Sequence, residues 1–339
     1  MKKCIQNYDA IMTFENIFLA WKEFVRDKSK KPDVIFFQSK LMDNLFALHE
    51  DLSNNTYRHG RYTAFKINDP KPRDIHKATV RDRVVHHLLY NALYDFFDKT
   101  FVYDSYSCRK NKGTHKALQR FRFFILKESK NMTKPCYVLK CDVRKFFASI
   151  DHAILKDILK SKIQDENVQI LLEDIVDSFH TNFMLSRKLG MTGLPLGNLT
   201  SQLLVNIYMN EFDQFVKRDL KIKYYIRYAD DFVILSQDKV YLENIIPKIA
   251  DFLEKRLCLK LHPDKVFIKS IYSGVDFLGW IEFGNHRVLR ASTKKRMFRI
   301  LEGNDYKEES VVSYRGMLKH GNGRKIQQKL NFRKNCSCE

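Results

Sequence analysis

The sequence predicts an α+β fold, and three observations carry that reading. Near the start, Phe14, Ile17, Phe18, Trp21, Phe24 and Val25 recur at helical spacing and share one face. Two β-prone runs, Tyr224-Tyr225-Ile226-Arg227 and Phe232-Val233-Ile234-Leu235, lie too close together for anything but a short turn. A third run, Cys136-Tyr137-Val138-Leu139-Lys140-Cys141-Asp142, is mostly apolar and ends in an acid, as a buried strand leading into a site does.

In chain order, the first helix gives way to a short basic connector, Lys28 to Lys31, and a second helix carries Leu41, Leu45, Leu48 and Leu52. Both pack on the lobe that follows. Pro70-Lys71-Pro72-Arg73-Asp74-Ile75 leads into Val80-Arg81-Asp82-Arg83-Val84-Val85-His86-His87, where Arg81 and Arg83 face either phosphate or their own neighbours. Adjacent histidines diverge on a helix and no Cys or His lies at ligand spacing, so His86 and His87 are assigned no chemistry. Tyr106 to His115 is a polar basic loop. Gly193-Leu194-Pro195-Leu196-Gly197-Asn198 is a shaped loop, and Thr200 or Ser201 is expected to cap the helix bearing Leu203, Leu204, Ile207, Tyr208 and Phe215. Leu259 to Lys265 reads as a turn, and the chain from about Arg287 is basic and partly helical.

The chemistry concentrates in Tyr228-Ala229-Asp230-Asp231, with both carboxylates expected in the bend of the hairpin. Asp is ordinary turn chemistry, but two acids held that close lose charge unless a cation attends them. Mg²⁺ is the first candidate, being hard and accustomed to sharing carboxylates with a substrate's phosphates. Asp142, at the end of a strand beside the hairpin, brings a third acid. Three acids make a two-metal site for in-line phosphoryl displacement feasible.

At 339 residues and 44% hydrophobic content the chain is long enough for a sizeable core and two or more lobes, and its formal charge of +20 indicates a polyanionic partner. No long uncharged apolar run, signal peptide or basic amphipathic anchor is evident, so no membrane partner is expected. Seven cysteines, odd in number and without metal-ligand spacing, suit a reducing cytoplasm. Cys336-x-Cys338 at the tail leaves metal binding or pairing open. No internal repeat or low-complexity tract is found.

Asp142 with an aromatic five positions on, the Gly-x-x-x-Ser-Gln of Gly197 to Gln202, and the Tyr-Ala-Asp-Asp hairpin follow one another in an order that resembles the palm of a reverse transcriptase. The resemblance runs from Phe14 to about Lys325. It implies a right-hand polymerase: N-terminal helices and fingers over 1–135, a palm over 136–285 with further helices interleaved around 151–195, and a short helical thumb and basic tail over 286–339. It further implies two Mg²⁺, with Mn²⁺ as a substitute, held by Asp142, Asp230, Asp231 and a backbone carbonyl near Val143. Lys71 and Arg73 match positions that grip the triphosphate. Phe147 matches the ring that excludes a 2′-hydroxyl, although the residues alone leave it between that role and the core, and Phe146 is read as core on the opposite face. Arg109 is placed against template or nucleotide, and Lys265 as proton donor to the leaving pyrophosphate. Val275 to Trp280 resembles the hairpin that grips the primer end. Lys294, Lys295, Arg296, Arg299, Arg315, Lys319, Arg324 and Lys325 are expected to track the nucleic-acid backbone, with Phe298 or Tyr314 in a small thumb core.

Where many relatives carry Gln before the second glycine and Ser-Pro after the loop, this chain has Leu196-Gly197 and Ser201-Gln202. That form resembles the reverse transcriptases of diversity-generating retroelements, which copy a template RNA into cDNA with errors at template adenines. It implies template RNA, primer or cDNA, dNTPs and a small basic helical accessory protein oligomer as partners. Competing readings are a group II intron-like or antiphage-defence reverse transcriptase, a non-catalytic RNA-binding protein on the same fold, and a metal nuclease. No segment for protease, integrase, ribonuclease H or DNA-binding nuclease is expected.

Overall fold

Helices open the chain where the periodicity places them. The computed structural model describes residues 4, 7–68, 72–181, 190–302, 308–323 and 325–328; Lys71, Arg324, Cys336 and Cys338 lie outside them. The N-terminal elements are α1 (Tyr8–Ile11), α2 (Phe14–Val25), α3 (Pro32–Gln38) and α4 (Leu41–Ser53). The Thr13 hydroxyl caps α2 by accepting from the Asn16 N–H. Ile17, Ala20, Trp21 and Phe24 are buried as α2 packs on α5 (Val80–Asp98), and α4 turns Leu45, Leu48 and Leu52 inward. Arg81 and Arg83 are paired with Asp51 and Asp33, which makes them a self-paired surface. Between α4 and α5 an antiparallel ribbon forms from β1 (Thr63–Ile67) and β2 (Arg73–Lys77).

The central layer is a four-stranded antiparallel sheet, ordered β4 (Tyr225–Tyr228), β5 (Asp231–Ser236), β3 (Tyr137–Asp142), β6 (Phe267–Ser270). Alternate residues face opposite sides of a strand, and both sides are covered. Leu139, Cys141, Tyr225, Phe232 and Ile234 join one core with α9 (Leu199–Gln214) and α10 (Lys239–Leu257). Val138, Ile226, Val233 and Leu235 join a second core with α6 (Thr114–Glu128). A sheet sandwiched in this way accounts for strands that read as nearly continuous apolar runs. Helices α7 (His152–Lys162) and α8 (Glu166–Asp177) pack together beside α9, completing the first core.

A second antiparallel sheet follows: β7 (Val275–Phe277), β8 (Trp280–Glu282) and β9 (Arg287–Leu289). Leu278 and Gly279, at φ +49° and +85°, form the two-residue turn whose twist matches its strands. Beyond it lie α11 (Ala291–Glu302) and α12 (Glu308–Leu318). Met297 and Leu318 are buried in the second core, with Phe298 and Tyr314 partly buried against it.

Two local expectations are corrected. Asn198, not Thr200 or Ser201, is the N-cap of α9, and no side-chain hydrogen bond caps the helix there; the Thr200 hydroxyl is engaged with His86 Nδ1 instead. Phe146 and Phe147 do not continue β3. The strand ends at Asp142, Lys145 turns left-handed at φ +47°, and Phe146–Ser149 form a 3₁₀ turn. Phe146 is still buried, and Phe147 is half-buried with its ring edge-on to it at 5.5 Å.

Candidate active site

The hairpin is tighter than the residues suggested. Only Ala229 and Asp230 form the turn, with Ala229 at φ +56°, and Asp231 is already the first residue of β5, paired in register with Asp142 of β3. The Val143 N–H donates to the Asp230 carbonyl at 3.2 Å, which ties the turn to the end of β3. The three acids thus gather where two central strands end together.

The hairpin is anchored from beneath by Arg227, which is 0% exposed. Its guanidinium donates to Asp213 of α9 through Nε and Nη2, each at 2.7 Å, and to Ser105 Oγ and the Ala229 carbonyl at 3.1 Å. Tyr225 adds a hydroxyl bond to Asp213 at 2.6 Å. A buried ion pair stands only when its remaining donors and lone pairs are met, as they are here. The pair therefore fixes the strand that delivers Asp230.

Two lysines attend the acids. Lys265 Nζ donates to Asp142 Oδ1 at 2.8 Å, held there because the segment after β3 bridges Leu261 and the Asp142 carbonyl accepts from the His262 N–H. Lys140, two residues before Asp142 on the same face of β3, reaches Asp231 Oδ2 at 3.3 Å. Burial pushes the Asp231 carboxyl up to about 7 despite that cation. Burial also raises Asp230, with Asp142 adding repulsion and Lys265 and Arg73 opposing it. Arg73, exposed on β2, is thus near enough to bear on the charge of Asp230.

Hard oxygen donors, mutual repulsion and a buried Asp231 Oδ1 with no hydrogen-bond partner suit this set to a divalent cation. Among the described residues no three such side chains stand at metal-ligand spacing; Lys265 and Lys140 draw two of the carboxylates to themselves.

The loop from Gly193 to Asn198 links the 3₁₀ turn after β3 to β2. The Leu194 N–H donates to the Phe147 carbonyl at 2.8 Å, and the His76 N–H to the Leu196 carbonyl at 3.2 Å. Asn198 Nδ2 donates to the His76 carbonyl at 3.2 Å. Gly197 sits at φ +110°, a conformation that favours glycine, and a Cβ there would crowd Ile75 Cγ2 at 3.0 Å. Leu196 and Gln202 are half-buried and Gly197 exposed.

Arg109 is engaged within its own loop. Its guanidinium donates to Asp98 Oδ1, to the Asp98 carbonyl and to the Val102 and Ser105 carbonyls, at 2.7–3.2 Å. With its side chain 6% exposed, it holds together the loop after α5. Lys294, Lys295, Arg299 and Lys319 are exposed, whereas Arg296 and Arg315 are half-buried with partners of their own. Sequence reasoning missed Lys140; its signal was a lone cation at an i, i+2 spacing from Asp142. It also missed the polar link from His86 to Thr200 and to His59 Nε2 at 3.1 Å, which no local pattern announces.

Carboxylates on the abutting ends of central antiparallel strands, backed by helices and attended by basic side chains, are an arrangement suited to metal-assisted phosphoryl transfer. The family model described as reverse transcriptase (RNA-dependent DNA polymerase) matches residues 66–281, and the chain belongs to that family. Protein YkfC of Escherichia coli is 26% identical over 298 residues, covering 78% of this chain and 76% of YkfC. The group II intron-encoded protein LtrA of Lactococcus lactis is 21% identical over 299 residues, 69% of this chain and 48% of LtrA. A putative COX1/OXI3 intron 2 protein of Saccharomyces cerevisiae is 21% identical, with 86% of this chain matching 39% of that protein. This chain therefore spans under half the length of the two intron proteins. Telomerase from Candida tropicalis, solved with a telomeric RNA fragment, superposes at a TM-score of 0.44 and 13% identity, over 66% of this chain and 43% of that one.

Proposed function

We propose that the chain copies an RNA template into cDNA by nucleotidyl transfer at Asp142, Asp230 and Asp231. The observation that supports this most directly is the register pairing of Asp142 with Asp231 beside the Asp230 turn. Two Mg²⁺ held by these acids and the Val143 carbonyl would supply activation of the primer hydroxyl and charge neutralisation of the leaving group. Arg73 binds the triphosphate, joined by Lys71. The Phe147 ring lies under the incoming sugar and excludes a 2′-hydroxyl. Lys265 holds a proton at Nζ for the departing pyrophosphate. Lys294, Lys295 and Lys319 contact backbone phosphates, independent of sequence.

Within the family, the Leu196-Gly197 and Ser201-Gln202 pattern supports a diversity-generating role, in which an apolar Leu196 leaves the nascent pair without a polar check. A structured template RNA and a basic helical accessory oligomer are the partners of that reading, in a cytoplasmic setting. Among the described residues no helix is long and apolar enough to cross a membrane. The names of the intron-encoded relatives support a second reading, a group II intron-like enzyme.

Primer extension on RNA with Mg²⁺ and all four dNTPs, followed by product sequencing, tests both. Product that disappears in an Asp230→Ala, Asp231→Ala double variant, with errors enriched opposite adenine, supports the diversity-generating role. Accurate product moves the chain to the intron-like reading. Product that survives the double variant sinks the assignment of the acids.

A further inference from the structure

Lys140 is an anomaly in its strand: 9% exposed, in a run of apolar neighbours, and directed along the sheet at a catalytic carboxylate. Register explains the contact. Lys140 pairs with Val233 and Asp142 with Asp231, so Asp231 is the diagonal neighbour of Lys140 on the same face. The same Nζ donates at 2.9 Å to the Asp276 carbonyl of β7. The Asp276 carboxylate in turn pairs with Arg290, whose own N–H donates to the Gly279 carbonyl at 3.1 Å in the β7–β8 turn. One ammonium thus joins the acids at the end of β3 and β5 to the hairpin from Val275 to Trp280 and to the residue that precedes α11.

We propose that Lys140 is a positioning residue that sets the primer terminus against the metal-binding acids, by bridging the Asp231 carboxylate to the Asp276 carbonyl of the primer-end hairpin. The inference rests on the polymerase reading above. A cation is suited to the task because it bonds both partners at once, and an ammonium carries three donors on a flexible stem. Without it the hairpin loses a direct tie to the acids, and an attacking hydroxyl displaced by about 1 Å loses rate while nucleotide and duplex still bind.

The test uses the full chain as wild type, Lys140→Met and Lys140→Arg, with primer extension on RNA, primer–template affinity by anisotropy and thermal unfolding. A 2-aminopurine at the primer 3′ end reports the environment of the terminus in Mg²⁺-free buffer. For Lys140→Met the maximal rate is expected to fall about a hundredfold, with dNTP KM and duplex affinity within about twofold of wild type. The 2-aminopurine signal is expected to shift in the same variant, and Lys140→Arg to restore most of both. An unchanged rate, a rate loss with unchanged 2-aminopurine signal, or a loss that tracks a lowered melting temperature or a raised dNTP KM overturns the proposal. A wild-type chain that extends no primer removes the polymerase reading and this inference with it, whereas an active wild type beside an indifferent Lys140→Met removes the inference alone.

Discussion

Lys265 Nζ lies 2.8 Å from Asp142 Oδ1, so the proposed proton donor and one of the proposed metal ligands are paired. On the proposed reading, a cation held by the acids would compete with that ammonium for Asp142. Lys265→Met is expected to lower the extension rate by about a hundredfold, the usual size of a general-acid contribution, with dNTP KM little changed. Single-turnover rates at saturating dNTP check it, and a wild-type rate would sink the donor role.

Arg227 and Asp213 are both buried without access to water. Removing one partner leaves a charge uncompensated, so Arg227→Met is expected to cost about 3–5 kcal/mol of stability. The Arg227→Met, Asp213→Leu double variant should recover part of that loss in denaturant unfolding. Equal destabilisation by single and double variants would show that shape rather than charge is what matters at this site.

Arg109→Met is expected to weaken folding by about 2 kcal/mol through its lost charge-assisted hydrogen bonds. RNA affinity of the folded protein, and its dependence on salt, should stay as in wild type. A shallower salt dependence in the variant would restore Arg109 to the nucleic-acid interface.

Burial raises the Glu282 carboxyl from 4.5 to about 7, with Arg287 at 3.0 Å and Arg122 only partly offsetting it. Between those values the folded chain holds a proton that the unfolded chain has released, so stability falls as pH rises through that window. Asp231, raised for the same reason, adds to the slope in Mg²⁺-free buffer. Melting temperatures from pH 4.5 to 7 should therefore decline for wild type, and the decline should be shallower for Glu282→Gln. Parallel curves would show that Glu282 ionises normally.

Leu196→Gln supplies a hydrogen-bonding side chain to the loop between Gly193 and Asn198. Misincorporation opposite template adenine is expected to fall about tenfold, the worth of one good hydrogen bond. Sequencing of primer-extension products reads it, and an unchanged error spectrum would free Leu196 of any part in fidelity.

Asp142, Asp230 and Asp231 were legible because strand period and turn length are local properties, and a strand ending in an acid is conspicuous against apolar neighbours. The exact bend was not, since Ala229 adopts φ +56° without being one of the residues that usually favour it. The internal partners of Arg109 were hidden for a related reason. A basic side chain in a polar loop looks the same whether it meets phosphate or its own carbonyls, and only the tertiary course of Asp98 to Ser105 decides. Arg227 lay in plain view within a β-prone run, but its partner Asp213 belongs to a helix on the covered face of the sheet, a pairing set by packing alone.

The His76 strand and the Leu196 loop are stitched together in both directions, His76 N–H to Leu196 and Asn198 amide to His76, with little room for a side chain at Gly197 beside Ile75. On the proposed reading, the part that holds the triphosphate and the part that faces the new base pair are tied to each other by these bonds. Discrimination and affinity then vary together: a variant that loosens the grip on nucleotides also loosens their inspection, and accuracy could be adjusted from the fingers without touching a residue near the base.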